Sequence, residues 1–381
     1  MADQQTDVLV VGGGALGCAH AIAAVRRGLS VTLCERDAVA RGASLRNFGM
    51  IWPIGQPAGP DLQLALRSRE LWGELASEAG FRCRPCGSLH LAYADDEWRV
   101  LEEFVAAGTL GGLRLLTPTE VSAEQPAVAL DGLRGGLFSP HEANVDPAVA
   151  VPAMHTWLLQ QGVKIHCRAP VVEVREHAAQ LADGALVTAG RIVVCTGDDF
   201  AALLPEVFAA AGLRRCKLQM ASLAPQPDGF ALGPMLAAGL TLLHYDAFQG
   251  CPSLGKLRAR LDAELAPHRQ RGIHVMVSQG DDGRLIIGDS HDYEPPFRPG
   301  LDAETERLIF EYLATFFRPA DARVAQRWSG SYAKCADGAS VFRAAPLRGV
   351  EVVTGLGGSG MTRSLAVGEQ TIARWGGRGG A

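Results

Sequence analysis

The sequence has no excess of basic charge and no long hydrophobic run. Its 36 Lys and Arg residues stand against 41 Asp and Glu residues, which gives a formal net charge of −5 at pH 7. Nucleic-acid binding requires a basic surface, so we predict no nucleic-acid partner. The most apolar long segment, residues 230–243, is shorter than the about 20 residues that a membrane span requires. The N-terminal stretch MADQQTD lacks an apolar signal core, so we predict a cytoplasmic protein without a membrane span.

The nine cysteines indicate neither a disulfide framework nor a metal site. Most stand singly in apolar runs, as Cys34 and Cys195 do, which is typical of buried free thiols in a reducing compartment. Cys83 and Cys86 form a C-x-x-C pair, but a tetrahedral zinc site needs two further ligands and the sequence offers none at a suitable spacing. We therefore predict no metal site. The pair is either a redox dithiol or, as we favour, a turn with incidental cysteines.

The start of the chain does contain a glycine turn between a strand and a helix. Residues 7–35 read DVLVVGGGALGCAHAIAAVRRGLSVTLCE, in which Gly12, Gly14 and Gly17 fit G-x-G-x-x-G. The apolar residues before the glycines predict a buried parallel strand, and the alanine-rich run after them predicts a helix followed by a second strand. In this context the glycines allow a tight turn, let a pyrophosphate approach the backbone, and let helix and strand pack closely. The helix N-terminus adds unpaired N–H groups and a partial positive charge.

An acidic residue and two further glycine turns indicate which dinucleotide binds. Glu35, at the end of the second strand, can accept hydrogen bonds from ribose hydroxyls and would repel a 2′-phosphate, which disfavours NADP. Turns at Thr196–Gly197 and at residues 355–360 also follow apolar strands. One long ligand that contacts three distant turns fits FAD better than NAD. The segment RGASLRNFGM, residues 41–50, is placed to wrap the pyrophosphate and lead the chain towards a ring.

Composition and pattern predict an α/β fold with two domains. A chain of 381 residues that is 48% hydrophobic and 20% charged is typical of a globular protein with two or three domains. We expect a Rossmann-like FAD-binding domain, built from residues 1–80, 145–215 and 330–381. Residues 81–144 and 216–329 are expected to form an α+β substrate domain with a mainly antiparallel sheet. Its strands are predicted from the stretches GSLHLAYA, TLLHYDAF and IHVMVSQGDDGRLIIGDS, the last of which contains the turn signal Asp282–Gly283.

The order of the motifs resembles the D-amino-acid oxidase superfamily, the group that contains glycine oxidase and sarcosine oxidase. The resemblance is carried by GGGxxG with Glu35, GASLRN, NVDP, VVCTG, WSGSYAKCADG and GLGGSGMT, in that family's order over nearly the whole chain. It implies that FAD binds deep in the α/β domain and that the sheet domain covers the substrate at the flavin ring.

The resemblance also implies a set of FAD-binding residues. Those for the AMP half are Gly12, Gly13, Gly14, Ala15, Leu16, Gly17 and Glu35, with Arg36 beside the adenosine and the backbone of Val171 at the adenine. Those near the pyrophosphate and the ring are Ser44, Leu45, Arg46, Asn47, Thr196 and Gly197. Those at the pyrimidine edge of the ring are Gly357, Gly358, Ser359, Gly360, Met361 and Thr362. Backbone N–H groups and a helix N-terminus at that edge would stabilise negative charge.

The chemistry implied by the resemblance is oxidation of an amine. In the family, a hydride passes from the carbon that bears the amine to the flavin, and the imine product is hydrolysed to a carbonyl compound. No side-chain base is compulsory, and we assign no catalytic residue. Sarcosine oxidases attach flavin through a cysteine at the position that Ser331 occupies here, so we expect non-covalent FAD. Their oxygen-activating lysine is replaced by isoleucine in LIIGD, so both oxygen and another electron acceptor stay open.

The substrate residues depart from the family's pattern. Glycine oxidase-like enzymes bind the substrate carboxylate with an arginine where this chain has Tyr332. The candidates for contact with an acidic substrate are Arg46, His244, Tyr332, Lys334 and Arg363. The run GASLRNFGMIWPIGQP resembles a bacterial subgroup associated with aminophosphonate breakdown, and a phosphonate suits the missing arginine.

We therefore predict an FAD-dependent oxidoreductase whose substrate is a small amine with an acidic group, such as an aminoethylphosphonate with or without an N-methyl group. One alternative is a glycine, sarcosine or D-amino-acid oxidase or dehydrogenase. The alternatives of other kinds are an NAD-dependent dehydrogenase and a non-catalytic flavoprotein subunit.

Overall fold

A computed structural model describes residues 4–293, 297 and 300–375. Its strands are β1 (Gln4–Val11), β2 (Val31–Cys34), β3 (Met50–Ile51), β4 (Cys83–Arg84), β5 (Ser88–Ala92), β6 (Arg114–Leu116), β7 (Gly135–Ser139), β8 (Ala143–Val145), β9 (Lys164–His166), β10 (Val171–Arg175), β11 (Ala178–Leu181), β12 (Leu186–Val194), β13 (Leu213–Pro225), β14 (Met235–Ala237), β15 (Met276–Gln279), β16 (Arg284–Gly288), β17 (Val324–Cys335), β18 (Phe342–Leu347) and β19 (Val350–Thr354). Its α-helices are α1 (Ala15–Val25), α2 (Pro60–Ala79), α3 (Asp95–Ala106), α4 (Pro118–Glu124), α5 (Pro147–Gln160), α6 (Pro205–Ala210), α7 (Gly239–Leu242), α8 (Leu254–Glu264), α9 (Ala266–Gln270), α10 (Ala303–Phe316) and α11 (Gly360–Trp375). None of the helices in these residues has both the length and the apolar character needed to cross a membrane.

The first sheet carries the glycine turn of the N-terminal segment. Its order is β10-β11-β12-β1-β2-β9, with β19 parallel to β12 and β18 antiparallel to β19. Val8 and Val10 pack on one face in a core with α1, α5 and α11, whereas Leu9 and Val11 pack on the other face with β10 and β12. Because both faces are covered, the strand is a continuous apolar run rather than an alternating one.

The second sheet is mainly antiparallel, as predicted. Its order is β17-β13-β16-β15-β14-β5-β7-β6, and only the β14–β5 pair is parallel among the pairings described. Buried residues of α3, α8 and α10 form one hydrophobic core with β5, β14 and β15. The predicted fold class, a Rossmann-like domain with an α+β domain, is therefore confirmed.

A third, small sheet lies where the chain passes between the two large ones. Its order is β3-β8-β4. The predicted domain boundaries lie close to the segments that separate the large sheets, but β13 crosses the boundary after residue 215 and β17 crosses the boundary after residue 329. The division into two domains at those residues stays a prediction.

The C-x-x-C pair lies at the end of the small sheet. Cys83 and Cys86 are both free thiols and partly buried, and the Cys86 N–H donates to Arg84 O in a turn. Burial raises the pKa of Cys83 to about 11 and also raises the pKa of Cys86. Since the thiolate is the reactive form of cysteine, these pKa shifts favour the incidental turn over a redox dithiol.

One predicted strand is wrong. The stretch TLLHYDAF, residues 241–248, contains helical turns and no strand: α7 ends at Leu242, and a short 3₁₀ helix spans Asp246–Phe248. All four residues of α7 are buried, so this part of the chain has no solvent-facing side on which a strand's alternation would show. Local bonds, such as that from the His244 N–H to Thr241 O at 3.1 Å, close the turn instead. His244 therefore lies in a turn and not on a strand.

Candidate cofactor and substrate site

One cavity extends from the glycine turn of the first sheet to side chains of the second sheet. All the predicted cofactor residues line it except Gly13 and Leu45. The five predicted substrate residues, Arg46, His244, Tyr332, Lys334 and Arg363, also line it. The fold thus places segments that are far apart in sequence around a single space. Their individual roles in binding stay predictions.

The glycine turn has the shape that a pyrophosphate site needs. Gly12 has φ +104°, and a Cβ added at Gly17 would lie 1.8 Å from Gly12 O, so neither position accepts another residue without distortion. Helix α1 begins at Ala15, directly after Gly14. Its N-terminal N–H groups face the same cavity, so the turn fits a dinucleotide pyrophosphate.

Glu35 is buried beside this turn, with 6% of its surface exposed. Its Oε2 accepts the Gly13 N–H at 2.7 Å and its Oε1 accepts the Asp37 N–H at 2.9 Å. Gly13 therefore lies behind the turn, where its N–H holds the carboxylate rather than facing the cavity. Each carboxylate oxygen keeps a further lone pair for a ribose hydroxyl.

Glu35→Ala is expected to weaken FAD binding about tenfold to a hundredfold, because a hydrogen bond to a charged group contributes roughly 1.5–3 kcal/mol. Glu35→Gln is the matched control, since its amide oxygen can still accept the Gly13 N–H. The dissociation constant for FAD, measured by equilibrium dialysis, should rise more for the alanine variant than for the glutamine variant. Unchanged flavin retention in both variants would contradict a ribose contact.

The segment after the second strand uses much of its hydrogen bonding within the protein. Ser44 Oγ accepts the Ala15 N–H at 2.9 Å. Asn47 Nδ2 donates to Ala43 O and Ser44 O, and its Oδ1 accepts the Gly49 N–H. These bonds hold the segment against the start of α1. Leu45 lines a neighbouring pocket instead.

A second helix N-terminus faces the cavity from the C-terminal part of the chain. A short 3₁₀ helix at Gly357–Ser359 leads into α11, which begins at Gly360. Thr362 Oγ1 accepts the Trp52 N–H at 3.0 Å, which ties this turn to the segment after residue 50. The predicted strand, glycine turn and helix of this region are confirmed.

Arg363 and Arg46 differ sharply in their surroundings. Arg363 is 6% exposed, its Nη2 donates to Leu356 O at 2.8 Å, and its Nη1 lies 3.5 Å from Asp61 Oδ1. Burial lowers its pKa, while Asp61 partly offsets that effect. Part of its hydrogen-bonding capacity is therefore already used within the protein. Arg46 is exposed at the edge of the cavity.

Tyr332 and Lys334 lie on β17, on the side of the cavity that the second sheet forms. Burial raises the pKa of the Tyr332 hydroxyl well above its usual value. A Cβ added at Gly358 would lie 3.6 Å from that hydroxyl, so Tyr332 faces the turn predicted to bind the ring. Lys334 is exposed, and its ammonium lies 5.7 Å from the centre of the Tyr293 ring. The structure thus brings the predicted substrate residues close to the predicted ring position.

Sequence reasoning missed three further residues in the cavity, His274, Asp289 and His291. Ligand atoms of His244, His274 and His291 all lie within 4.8 Å of one another. The Asp289 Oδ1 lies 3.3 Å from His274 Nε2, and its Oδ2 lies 3.7 Å from His291 Nε2. We call these four residues the imidazole cluster. The prediction of no metal site did not anticipate three histidines at this spacing.

The β15–β16 hairpin held a signal for part of this cluster. The predicted Asp282–Gly283 turn joins the two strands, and the Asp289 N–H donates to His274 O at 2.8 Å just beyond them. Counting outward along this register places these two residues within one position of each other. His244, which the sequence analysis named as a substrate candidate, comes from a separate turn, and no local pattern placed it beside this hairpin.

The fold and the cavity together define a class of protein. A glycine turn on a parallel sheet supplies the cofactor side, and titratable side chains on an antiparallel sheet supply the other, as in dinucleotide-dependent oxidoreductases. The chain belongs to the DAO family of FAD dependent oxidoreductases, whose family model matches residues 7–374. The protein is thus an FAD-dependent oxidoreductase, and the NAD-dependent alternative is wrong.

Comparison with individual proteins supports this placement. Human mitochondrial sarcosine dehydrogenase is 27% identical over 176 residues, which is 44% of this chain and 19% of that protein. The chain therefore spans only a small part of this relative. Glycine oxidase from Geobacillus kaustophilus has a similar fold, with a TM-score of 0.77, 20% identity, and coverage of 97% of this chain and 94% of that one. L-proline dehydrogenase from P. horikoshii has a TM-score of 0.76, 21% identity, and coverage of 99% and 95%.

Proposed function

We propose that the protein oxidises the C–N bond of a small amine that carries an acidic group, and that this group is a phosphonate, as in an aminoethylphosphonate with or without an N-methyl group. The observation that carries the proposal is the composition of the substrate side of the cavity. It holds Tyr332 in place of a carboxylate-binding arginine, and beside it lie the imidazole cluster and Lys334.

In this proposal, one side of the cavity binds FAD and the other side orients the substrate. The α1 N-terminus and Glu35 hold the nucleotide half of FAD, and the α11 N-terminus faces the ring, where its partial positive charge stabilises negative charge. Bound FAD supplies the hydride acceptor. The hydroxyl of Tyr332 and the imidazoles orient the substrate so that its C–H bond faces the ring. The imine that leaves this site hydrolyses to a carbonyl compound.

The names of the similar proteins fit an amine substrate. Sarcosine dehydrogenase and glycine oxidase, by name, act on small amino acids. An amino-acid oxidase or dehydrogenase is therefore the second candidate. The missing arginine at Tyr332 is the feature that favours a phosphonate over a carboxylate, since the bidentate fork that matches a carboxylate is absent from that position.

The test is anaerobic reduction of the bound flavin by a substrate. The reduction is measured as the loss of the flavin's visible absorbance. Glycine, sarcosine, D-amino acids, 2-aminoethylphosphonate and its N-methyl form are compared on the same holoenzyme. We expect the aminophosphonates to reduce the flavin fastest. Faster reduction by a carboxylate substrate would select the second candidate, and no reduction by any amine would support a non-catalytic subunit. Repeating the successful reaction with oxygen or an artificial acceptor distinguishes an oxidase from a dehydrogenase.

Tyr332→Arg is expected to raise kcat/KM for glycine or sarcosine, relative to the aminophosphonate, by about tenfold or more, because a charge-assisted contact to the carboxylate is created. Tyr332→Phe keeps the ring without the charge and should not produce that shift. Steady-state kinetics on both substrate classes gives the comparison. An equal change in both classes for the arginine variant would show that this position does not select the acidic group.

A further inference from the structure

The imidazole cluster is built from three separate parts of the chain. His244 follows α7, His274 precedes β15, and Asp289 and His291 follow β16. His274 is 3% exposed, Asp289 5% and His291 8%, so the cluster is almost closed to solvent except through the cavity. Such a group of polar side chains needs partners, because burying unpaired polar atoms is costly.

Two fully buried atoms of the cluster have no hydrogen-bond partner among the residues that the structure describes. They are His274 Nδ1 and Asp289 Oδ1, although the latter lies within ion-pair distance of His274 Nε2. His291 differs, since its Nδ1 lies 3.0 Å from Gly272 O and can donate to it. The cluster therefore retains unused hydrogen-bonding capacity beside the cavity.

The ring geometry does not suit a metal ion. The His244 and His274 ring centres lie 3.7 Å apart with 30° between the planes, and the His274 and His291 planes are only 17° apart. The lone pairs of imidazole nitrogens lie in the ring planes. The nearly parallel planes of His274 and His291 do not meet at a point roughly 2.0–2.1 Å from a nitrogen of each ring, as zinc ligands require.

The same geometry suits an anion with several oxygens. Stacked rings present N–H groups side by side, and the separate oxygens of a tetrahedral oxyanion can accept them in parallel. The exposed ammonium of Lys334 adds positive charge on the same side of the cavity. A tetrahedral oxyanion has three oxygens that can accept hydrogen bonds from the three rings, whereas a carboxylate has only two.

We propose that the imidazole cluster is the subsite for the acidic group of the substrate, which it binds as a tetrahedral oxyanion with at least one imidazole protonated. This inference rests on the proposed function, since it assigns the acidic group of that substrate to named side chains. Asp289 acts as a positioning residue, which orients His274 and His291.

Protonation is the step that distinguishes this subsite from a fixed positive charge. Burial lowers the pKa of His291 to about 4 and lowers that of His274, and burial raises the pKa of Asp289. The imidazoles of the free cluster are therefore neutral near neutral pH. A bound anion raises the pKa of an imidazole beside it, so the complex holds a proton that the free protein lacks. Affinity must then fall as the pH rises through the pKa of the complex. The other titratable groups that face the cluster are Cys216, Tyr245, Arg269, Tyr293, Tyr332 and Lys334.

The experiment measures anion binding to the oxidised holoenzyme through the change in flavin absorbance, without turnover. The probes are ethylphosphonate, ethanesulfonate and propionate. Ethanesulfonate carries one charge at every pH used, so its pH dependence reports only protons on the protein. We expect its dissociation constant to rise about tenfold or more between pH 6.5 and pH 9, since the loss of one required proton costs about tenfold per pH unit. Ethylphosphonate should bind at least about tenfold more tightly than propionate.

The variants are His274→Asn and His291→Asn, with His177→Asn as the matched control on the exposed surface. Asparagine at 291 can still donate to Gly272 O, which protects the fold. Each cluster variant should retain FAD and bind ethylphosphonate about tenfold or more weakly, whereas the control should bind as the wild type does. If a cluster variant loses FAD, Asp289→Asn replaces it in the comparison.

Three results would overturn the inference: wild-type affinity in the folded cluster variants, ethanesulfonate binding that does not depend on pH, or stoichiometric zinc that survives dialysis and is lost in His291→Asn. The proposed function is tested separately from this subsite. If the cluster binds ethylphosphonate as expected but no aminophosphonate reduces the flavin, the subsite stands and the proposed reaction fails.

Discussion

A Gly14→Val variant is expected to fold as the wild type does and to purify without FAD. The backbone at Gly14 has φ −70° and ψ 177°, an extended conformation that valine adopts readily. An added Cβ meets Ser44 Oγ at 2.9 Å, and that hydroxyl can rotate away. The valine side chain would occupy the space in front of α1, where a pyrophosphate must reach the backbone. Several charge-assisted hydrogen bonds of roughly 1.5–3 kcal/mol each would be lost, which lowers FAD affinity by at least about a hundredfold.

The measurement is the ratio of flavin to protein after dialysis, together with a thermal unfolding curve. Gly73→Val is the control, because an added Cβ at that position in α2 meets nothing within 4 Å, and it should retain FAD. Gly17 would be a poor choice, since its Cβ would meet Gly12 O at 1.8 Å and break the turn itself. A yellow Gly14→Val protein with full flavin occupancy would show that the pyrophosphate binds elsewhere.

Arg260→Ala is expected to lower the free energy of unfolding by about 3–5 kcal/mol, the cost of leaving buried carboxylates without their positively charged partner. Arg260 on α8 donates from Nε and Nη2 to the two oxygens of Asp96, at 2.8 and 2.9 Å, and from Nη2 to Glu97 Oε1 at 2.9 Å. Asp96 and Glu97 are 7% and 6% exposed at the start of α3. None of the three lines the cavity, so the FAD content of the folded fraction should not change.

The effect of Arg260 should depend on pH. Burial alone would raise the pKa of Asp96, but hydrogen bonds and the charge of Arg260 outweigh it and hold that pKa below its usual 3.8. A carboxyl with a depressed pKa stabilises the fold above its unfolded-state pKa, and this stabilisation is lost as the pH falls through the folded-state value. The difference between wild type and variant in urea denaturation should therefore shrink below about pH 4.

Arg307→Ala is the matched control for this stability measurement. Arg307 on α10 also pairs with two acidic residues, Glu304 and Glu311, but all three are exposed. Exposed pairs contribute about 0–1 kcal/mol, so the variant should unfold close to the wild type. Equal destabilisation by the two arginine variants would contradict the role of burial at Asp96 and Glu97.

The glycine turn and the C-terminal turn could be predicted because their signals are local. The spacing of glycines between an apolar strand and a helix depends only on neighbours in the chain. Residues 357–362, at the start of α11, have the same kind of spacing. The β15–β16 hairpin followed from alternation and from the Asp282–Gly283 turn in the same way. In each case one short window contains both the strand pattern and the turn residues.

Local patterns did not predict what packing decided. Residues 241–248 look like a strand because they are aromatic and β-branched, but helix and turn bonds replace the ladder in a segment that begins in the buried helix α7. Arg363 stays a candidate for contact with the substrate, but its donation to Leu356 O and its position near Asp61 could not be predicted. Its partners are set by packing, which a sequence window does not contain.

By itself, the sequence determined the cofactor side of this protein: a parallel strand, a glycine turn with a helix N-terminus behind it, and an acid at the end of the next strand. Those features depend on short-range sterics and on the helix dipole, and both are set by adjacent residues. Only the tertiary structure decided the substrate side. His244, His274 and His291 come together there because the antiparallel hairpin and the turn after α7 close on one cavity. The charge of that cluster depends on burial, which exists only once the chain is folded.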